Sequence, residues 1–262
     1  MFFLYQIGIR LFYFGVIIYS FFNRKAKLFI RGRKDIFDEL QKKISQLPTP
    51  NSQLIWFHCA SLGEFEQARP LIERFRNKDF GFRILITFFS PSGYEIRKNF
   101  EGADFIFYLP IDTKSNIQRF LNIVKPSLVF FVKYDFWYNY LNELSKCKIP
   151  TYLVSANFRQ EQFNGIYGKY LKKVLNFFNH IFVQNETSEK LLLEHDIANV
   201  TVSGDLRYDK VAQTALKPKK ISLIEHFKTN DRIIIAGSSW EKDEEILSSY
   251  KLQVTSRNLF SF

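Results

Sequence analysis

Residues 56–75 read WFHCASLGEFEQARPLIERF: an apolar run, a Ser-Leu-Gly-Glu turn, and then the apolar spacing of a helix. The same strand–turn–helix unit recurs along the chain and decides the fold. LIWFH (54–58), RILIT (83–87), FIFYL (105–109), SLVFFV (127–132), TYLVS (151–155), HIFVQ (180–184) and VTVSG (200–204) read as short strands. Helical patterns such as KSNIQRFLNIV and YGKYLKKVLNFF lie between them. Strands this apolar, alternating with helices, imply βαβ units and a parallel sheet covered on both faces, an α/β fold. Ahead of them DIFDELQKKISQL reads as a helix closed by Pro48-Thr49-Pro50. Pro70 leaves the start of the helix after Glu64 open, with an extended loop as the alternative.

Beyond the last strand, a polar stretch containing KPKK reads as a linker. RIIIAGSSW then opens a new strand and turn, and EKDEEILSSY the next helix. The expected organisation is an N-terminal segment (1–34), a main sheet domain (35–210), a linker (211–231) and the start of a second domain (232–262).

The chain has 262 residues, 46% of them hydrophobic, with 30 Phe and 13 Tyr, which is ample for a core. Its 37 Lys+Arg against 26 Asp+Glu give a net charge of +11, which suits a polyanionic partner: nucleic acid, an anionic membrane surface or a phosphorylated substrate. The aromatics sit within strands instead of alternating with cations, which argues against a nucleic-acid surface. The run RKAKLFIRGRK (24–34) holds six cations and no acid, directly after FFLYQIGIRLFYFGVIIYSFF (2–22). That segment is about the length that crosses a bilayer, although Gln6 and Arg10 interrupt it. Three readings stand: a span, an interfacial helix with the basic run on anionic headgroups, or a buried first helix. The positive-inside rule places the following domain in the cytoplasm. Cys59 and Cys147 are too few for a disulfide framework, and His58, His180, His195 and His226 lack metal-like spacing, so no metal or cofactor is expected.

Ligands of open α/β sheets bind at the carboxyl ends of the strands. Those ends deliver Ser61, Gly63 and Glu64; Ser90, Ser92 and Gly93; Lys133 and Asp135; Arg159; and Arg207. Glu64 either complements a helix dipole or accepts a proton. Ser90, before Pro91, is a helix cap or an anion ligand. Lys133 with Asp135, and Arg207 with Asp209, are rim ion pairs or ligand contacts.

Six blocks together resemble the 3-deoxy-D-manno-octulosonic acid (Kdo) transferase family. WFHCASLGE is similar to its Trp-(Ile/Phe)-His-x-x-Ser-x-Gly-Glu motif, TFFSPSGYE to Thr-x-Thr-Pro-(Thr/Ser)-Gly, and VKYDFWYNYL to Met-Glu-Thr-Glu-(Leu/Phe)-Trp-Pro-Asn. SANFR resembles Asn-Ala-Arg, GDLRYD resembles Gly-Asn-x-Lys-Phe-Asp, and IAGSSWEKDEE resembles Ala-Gly-Ser-x-His-x-x-Glu-Glu. The resemblance implies a GT-B fold: an N-terminal Rossmann-like domain with a membrane-associated helix, and only the start of a second Rossmann-like domain. It implies inverting, metal-independent transfer of Kdo from CMP-Kdo to the lipid A precursor at the cytoplasmic face of the inner membrane. Glu64 then falls on the general base, and Asp135 and Arg207 on the carboxylate and cation that stabilise the transition state. Ser61, Gly63, Ser90, Ser92, Gly93, Lys133 and Arg159 fall on the acceptor side, and Gly237, Ser238, Ser239 and Trp240 on the donor side. Asp135, Arg207 and Lys133 depart from the family's usual Glu, Lys and Glu. Other readings are a GT-B transferase using a UDP-sugar, a truncated acceptor-binding or membrane-anchored remnant without activity, and a nucleic-acid-binding protein. The expectation is of an incomplete transferase with little activity of its own.

Overall fold

The computed structural model describes residues 2–46, 53–77, 81–216, 220–227 and 235–258. They fall into two compact units, Met1–Ala215 and Leu216–Phe262. The first opens with three helices, α1 (Phe2–Tyr19), α2 (Arg24–Arg31) and α3 (Ile36–Ser45). Strands and helices then alternate: β1 (Leu54–Cys59), α4 (Leu62–Asn77), β2 (Arg83–Phe88), α5 (Pro91–Arg97), β3 (Phe105–Tyr108), α6 (Lys114–Val124) and β4 (Leu128–Val132). They continue as α7 (Tyr138–Lys146), β5 (Thr151–Ala156), a 3-10 turn (Gln160–Phe163), α8 (Gly165–Leu175), β6 (His180–Val183), α9 (Glu186–Glu194), β7 (Val200–Val202) and α10 (Leu206–Leu216).

The seven strands form one parallel sheet in the order β3-β2-β1-β4-β5-β6-β7. The order reverses between β1 and β4, and this topological switch point is where open α/β sheets carry their ligand crevice. Both faces are buried, as the sequence requires. On one, Trp56 packs its ring 5.0 Å from Phe120, 5.6 Å from Phe131 and 5.7 Å from Tyr140. On the other, Phe57 stacks 4.9 Å from Phe130 beneath Phe65, Ala68 and Ile72 of α4. Helix α4 runs through Pro70, so the extended-loop alternative for Glu64 is not what forms. An interior proline costs about 3 kcal/mol, and the fully buried Phe65, Ala68 and Ile72 on the same helix offset it.

The N-terminal segment is not wholly buried, and among the described residues no helix is long and apolar enough to cross a membrane. Helix α1 docks one face on the sheet domain. Tyr5 donates to Asp112, and Gln6 donates to Asn139. Its other side leaves Leu4, Leu11, Phe12, Phe14 and Ile18 exposed. The basic run is also divided. Arg24, Lys25, Lys27, Arg31 and Lys34 are exposed, but Arg33 is buried and donates to the carbonyls of Leu109 (2.8 Å), Phe29 (3.0 Å) and Phe89 (2.7 Å). Its guanidinium lies 3.7 Å from the Phe29 ring centroid.

Asp112 is a second buried polar anchor. It accepts the backbone N–H groups of Asn139 (3.2 Å) and Tyr140 (3.1 Å), capping the first turn of α7 from outside the helix. Burial raises its pKa from 3.8 to about 6, against the hydrogen bonds from Tyr5, Asn139 and Tyr140. An acid raised on folding binds more protons in the native than in the unfolded state. Its contribution is therefore fully present below pH 3.8 and is lost as the pH climbs through about 6. Across that window the wild type should lose stability more steeply than Asp112→Asn, measured as urea midpoints at each pH. Parallel pH profiles would contradict this.

In the second unit, α11 (Ser222–Phe227) and α12 (Glu241–Asn258) are described. The expected EKDEEILSSY helix is the start of α12. The Pro48-Thr49-Pro50 linker and residues 232–234 of the expected RIIIA strand lie outside the described residues, and Ile235 and Ala236 are not in a strand.

Candidate active site

Glu64 lies in the first turn of α4, where β1 ends at the switch point. Its Oε2 accepts the backbone N–H of Ser61 at 2.9 Å, the reach-back of an acid at the third helical position. Burial raises its pKa, opposed by the backbone N–H groups of Ser61 and Ala60 and by the charge of Lys133. Next to β1 in the sheet, β4 is followed directly by Lys133, whose φ of 62° is left-handed. A lysine held there stores strain of about 1–3 kcal/mol, and it turns the chain sharply before Asp135.

Asp135 is buried. Its pKa is raised well above the ordinary carboxylate range, first by burial and then by the charge of Glu64. Lys133 is not its partner. The Asp135 Oδ2 lies 3.4 Å from Nε2 of His58, which is fully buried. This is no ion pair, because burial depresses the His58 pKa to about 3 and the ring is neutral. Nδ1 of His58 faces the Thr87 carbonyl at 3.2 Å and its hydroxyl at 2.9 Å, and Trp137 donates its indole N–H to Nε2 at 3.1 Å. Cys59, also buried, feels both acids, which with burial raise its thiol pKa.

Ser90 caps α5 by accepting from the Ser92 N–H at 3.3 Å, and its own N–H donates to the Ala60 carbonyl at 2.7 Å. An added Cβ at Gly93 would sit 2.3 Å from the Phe88 ring and 3.1 Å from the Ser61 backbone, so glycine lets α5 close against the Ser61 turn. At Gly63 the same addition meets nothing nearer than the Ser61 hydroxyl at 4.0 Å, leaving open space beside Glu64. Ser61, Gly63, Glu64, Ser90 and Gly93 thus share one corner, with Asp135 across the switch point.

The remaining candidates are further along the edge. Arg159 lines a cavity of about 450 Å³ with Lys190 and Glu194, and its charge reaches Tyr134 in the Asp135 loop. Asn157 in the preceding turn accepts from Ser188 (3.0 Å) and Asn185 (3.3 Å). Arg207 is exposed on α10, and its guanidinium bonds Asp205 at 2.6 Å; the Asp209 side chain of the expected pair lies outside the described residues. Lys133 lowers the pKa of both Glu64 and Asp205, so its charge lies within reach of both groups. In the second unit, Ser238 has a φ of 59°, Ser239 donates to Glu244 at 2.9 Å, and the Trp240 N–H donates to Asp243 at 3.0 Å. This Gly237–Trp240 turn caps α12. Among the described residues no cluster of His, Cys, Asp and Glu could hold a metal ion.

His58 and Trp137 are the residues whose part in the site the sequence reading missed. Both stand inside the motif blocks, but only the fold brings the β1 histidine beneath the indole that precedes α7.

A doubly covered parallel sheet whose strand order reverses at a switch point is a Rossmann-like domain, the class of domain that the resemblance to GT-B transferases implies. The fold is similar to UDP-N-acetylglucosamine 2-epimerase from Rickettsia bellii, with a TM-score of 0.51 at 14% identity over 68% of this chain and 52% of that one, a likeness of fold alone. A family model described as 3-deoxy-D-manno-octulosonic-acid transferase (kdotransferase) matches residues 35–210, and the chain belongs to that family. It is 29% identical to the 3-deoxy-D-manno-octulosonic acid transferase of Haemophilus influenzae, over 76% of this chain and 48% of the relative. With the Rickettsia bellii transferase it shares 28% identity over 84% of this chain and 54% of the relative. The chain spans about half the length of these curated relatives.

Proposed function

We propose that this chain serves transfer of Kdo from CMP-Kdo to a hydroxyl of the lipid A precursor, with inversion and with Glu64 as general base. The observation that carries the reading is Glu64 itself: a carboxylate with raised pKa, in the first turn after β1, beside the open space at Gly63. As the acceptor oxygen attacks the anomeric carbon, its proton passes to the Glu64 carboxylate while the bond to the CMP phosphate breaks. An acid with a raised pKa is the better acceptor for that proton at neutral pH. Asp135 and Arg207 take the positions of the family's second acid and its cation. Asp205 engages the Nε and Nη2 donors of the Arg207 guanidinium, which is otherwise exposed to an anionic ligand. Ser61, Ser90, Ser92, Gly93, Lys133 and Arg159 form the acceptor side, and Gly237–Trp240 the donor turn. Incubation with CMP-Kdo and a lipid A precursor, with UDP-sugars in parallel, is the test. Transfer from a UDP-sugar instead of CMP-Kdo would overturn the reading.

The same reading places the chain at the cytoplasmic face of the inner membrane. The exposed apolar side of α1 beside five exposed cations supports an interfacial seat. Replacing Leu11, Phe14, Ile18 and Phe22 with serine should cut flotation with anionic liposomes by more than about tenfold, since each buried apolar side chain contributes about 1.5–3 kcal/mol. Unchanged flotation would remove α1 from that role.

A further inference from the structure

The polar groups around His58 leave it one state. The Trp137 indole N–H can only donate, and it points at Nε2 from 3.1 Å. The Thr87 carbonyl can only accept, and it faces Nδ1 at 3.2 Å. Nδ1 therefore carries the hydrogen and Nε2 the lone pair. An imidazolium would set two donors head to head at Nε2. Asp135 Oδ2 lies 3.4 Å from that lone pair and is buried without a hydrogen-bond partner. As a carboxylate it would turn a bare anionic oxygen toward a lone pair, out of water, with the charge of Glu64 in reach, an arrangement costly on every count. One proton on Oδ2 removes all of this, because the acid can then donate to Nε2, sharing its single lone pair with the Trp137 N–H in a three-centre hydrogen bond.

We propose that Asp135 is kept as the neutral carboxylic acid, donating to Nε2 of His58, and that the Glu64–Asp135 pair holds this single proton at neutral pH. His58 and Trp137 are then positioning residues that choose which acid keeps it. The surroundings agree with that allocation. Glu64 has the Ser61 N–H and the charge of Lys133 to favour its anion. Asp135 has only the Ala60 N–H against burial and the charge of Glu64. The other titratable groups facing the pair are Cys59, a neutral buried thiol, and His58 itself, whose protonation Arg33 further opposes. One shared proton leaves Glu64 ionised and ready to act as a base, so the inference deepens the functional reading and rests on it only for that consequence.

The test reads protonation directly and needs no turnover, so its failure leaves the transferase reading standing. The chain has four histidines, which keeps the imidazole ¹⁵N spectrum simple. In ¹⁵N-labelled protein, His58 should stay protonated on Nδ1 alone from about pH 5 to 8, where an ordinary histidine titrates. In protein labelled with ¹³C at aspartate carboxyls, the signal lost in Asp135→Asn should be that of a protonated acid at pH 7. Asp135→Asn keeps a donor toward Nε2 and should leave the His58 shifts in place. Glu64→Gln removes the neighbouring charge and should move the Asp135 midpoint to lower pH. Trp137→Phe retains a ring but leaves the Asp135 acid as the one donor on the Nε2 lone pair, so no indole N–H opposes a proton there, and His58 should become protonated within that pH range. An ionised Asp135 at pH 7, a proton on Nε2 in the wild type, or an unmoved Asp135 midpoint in Glu64→Gln would each overturn the proposal.

Discussion

Glu64→Gln is expected to lower Kdo transfer by about 10²–10⁴-fold, the usual loss when a general base is removed, in any preparation of this chain that transfers Kdo. The amide is isosteric and still accepts the Ser61 N–H through its oxygen, so the α4 start should hold. What it lacks is a basic lone pair for the hydroxyl proton. The fall should therefore appear in kcat, with acceptor KM little changed, because the contact removed is one that strengthens only in the transition state. Far-ultraviolet circular dichroism and urea midpoint should match the wild type. A Gln variant with near wild-type turnover would take Glu64 out of the base role and leave the raised pKa as a consequence of burial alone.

Arg33→Ala should cost about 3–5 kcal/mol of stability, from buried acceptors left bare and a large side chain removed. Arg33 bridges three separate segments: Phe29 on α2, Phe89 after β2 and Leu109 after β3. Burial lowers its pKa to about 9, still well above neutrality, so the guanidinium keeps its charge and its five donors. Alanine leaves the Leu109 and Phe89 carbonyls facing a cavity between the Phe29, Phe89 and Tyr108 rings. Arg31→Ala, two residues earlier in the same basic run, is exposed and should shift stability by no more than about 0.5 kcal/mol. Urea unfolding of the two variants with unchanged m-values is the comparison. Equal midpoints would mean that Arg33 is as dispensable as its neighbours.

The sheet was legible from local pattern. An apolar run of five or six residues bounded by turn residues announces a buried strand, and all seven strands expected of the main sheet form within two residues of the expected ends. The strand ends carrying Glu64, Ser90, Asp135, Arg159 and Arg207 were legible for the same reason. Pro70 was the local exception: its cost is written in the sequence, but the burial of Phe65, Ala68 and Ile72 that overcomes it is not.

Composition and periodicity by themselves determined an α/β protein with a parallel sheet, a basic N-terminus and acids at the strand ends, because each is a property of neighbouring residues. Only the tertiary structure decided which cation of the basic run is buried, that Arg207 holds Asp205, and that His58 sits between Thr87, Trp137 and Asp135. Thr87 and Trp137 lie 29 and 79 residues from His58 in the chain, and no spacing rule spans such distances. The charge state of each acid follows from water excluded and donors supplied by other elements, so it exists only once β1, β4 and α4 have packed together.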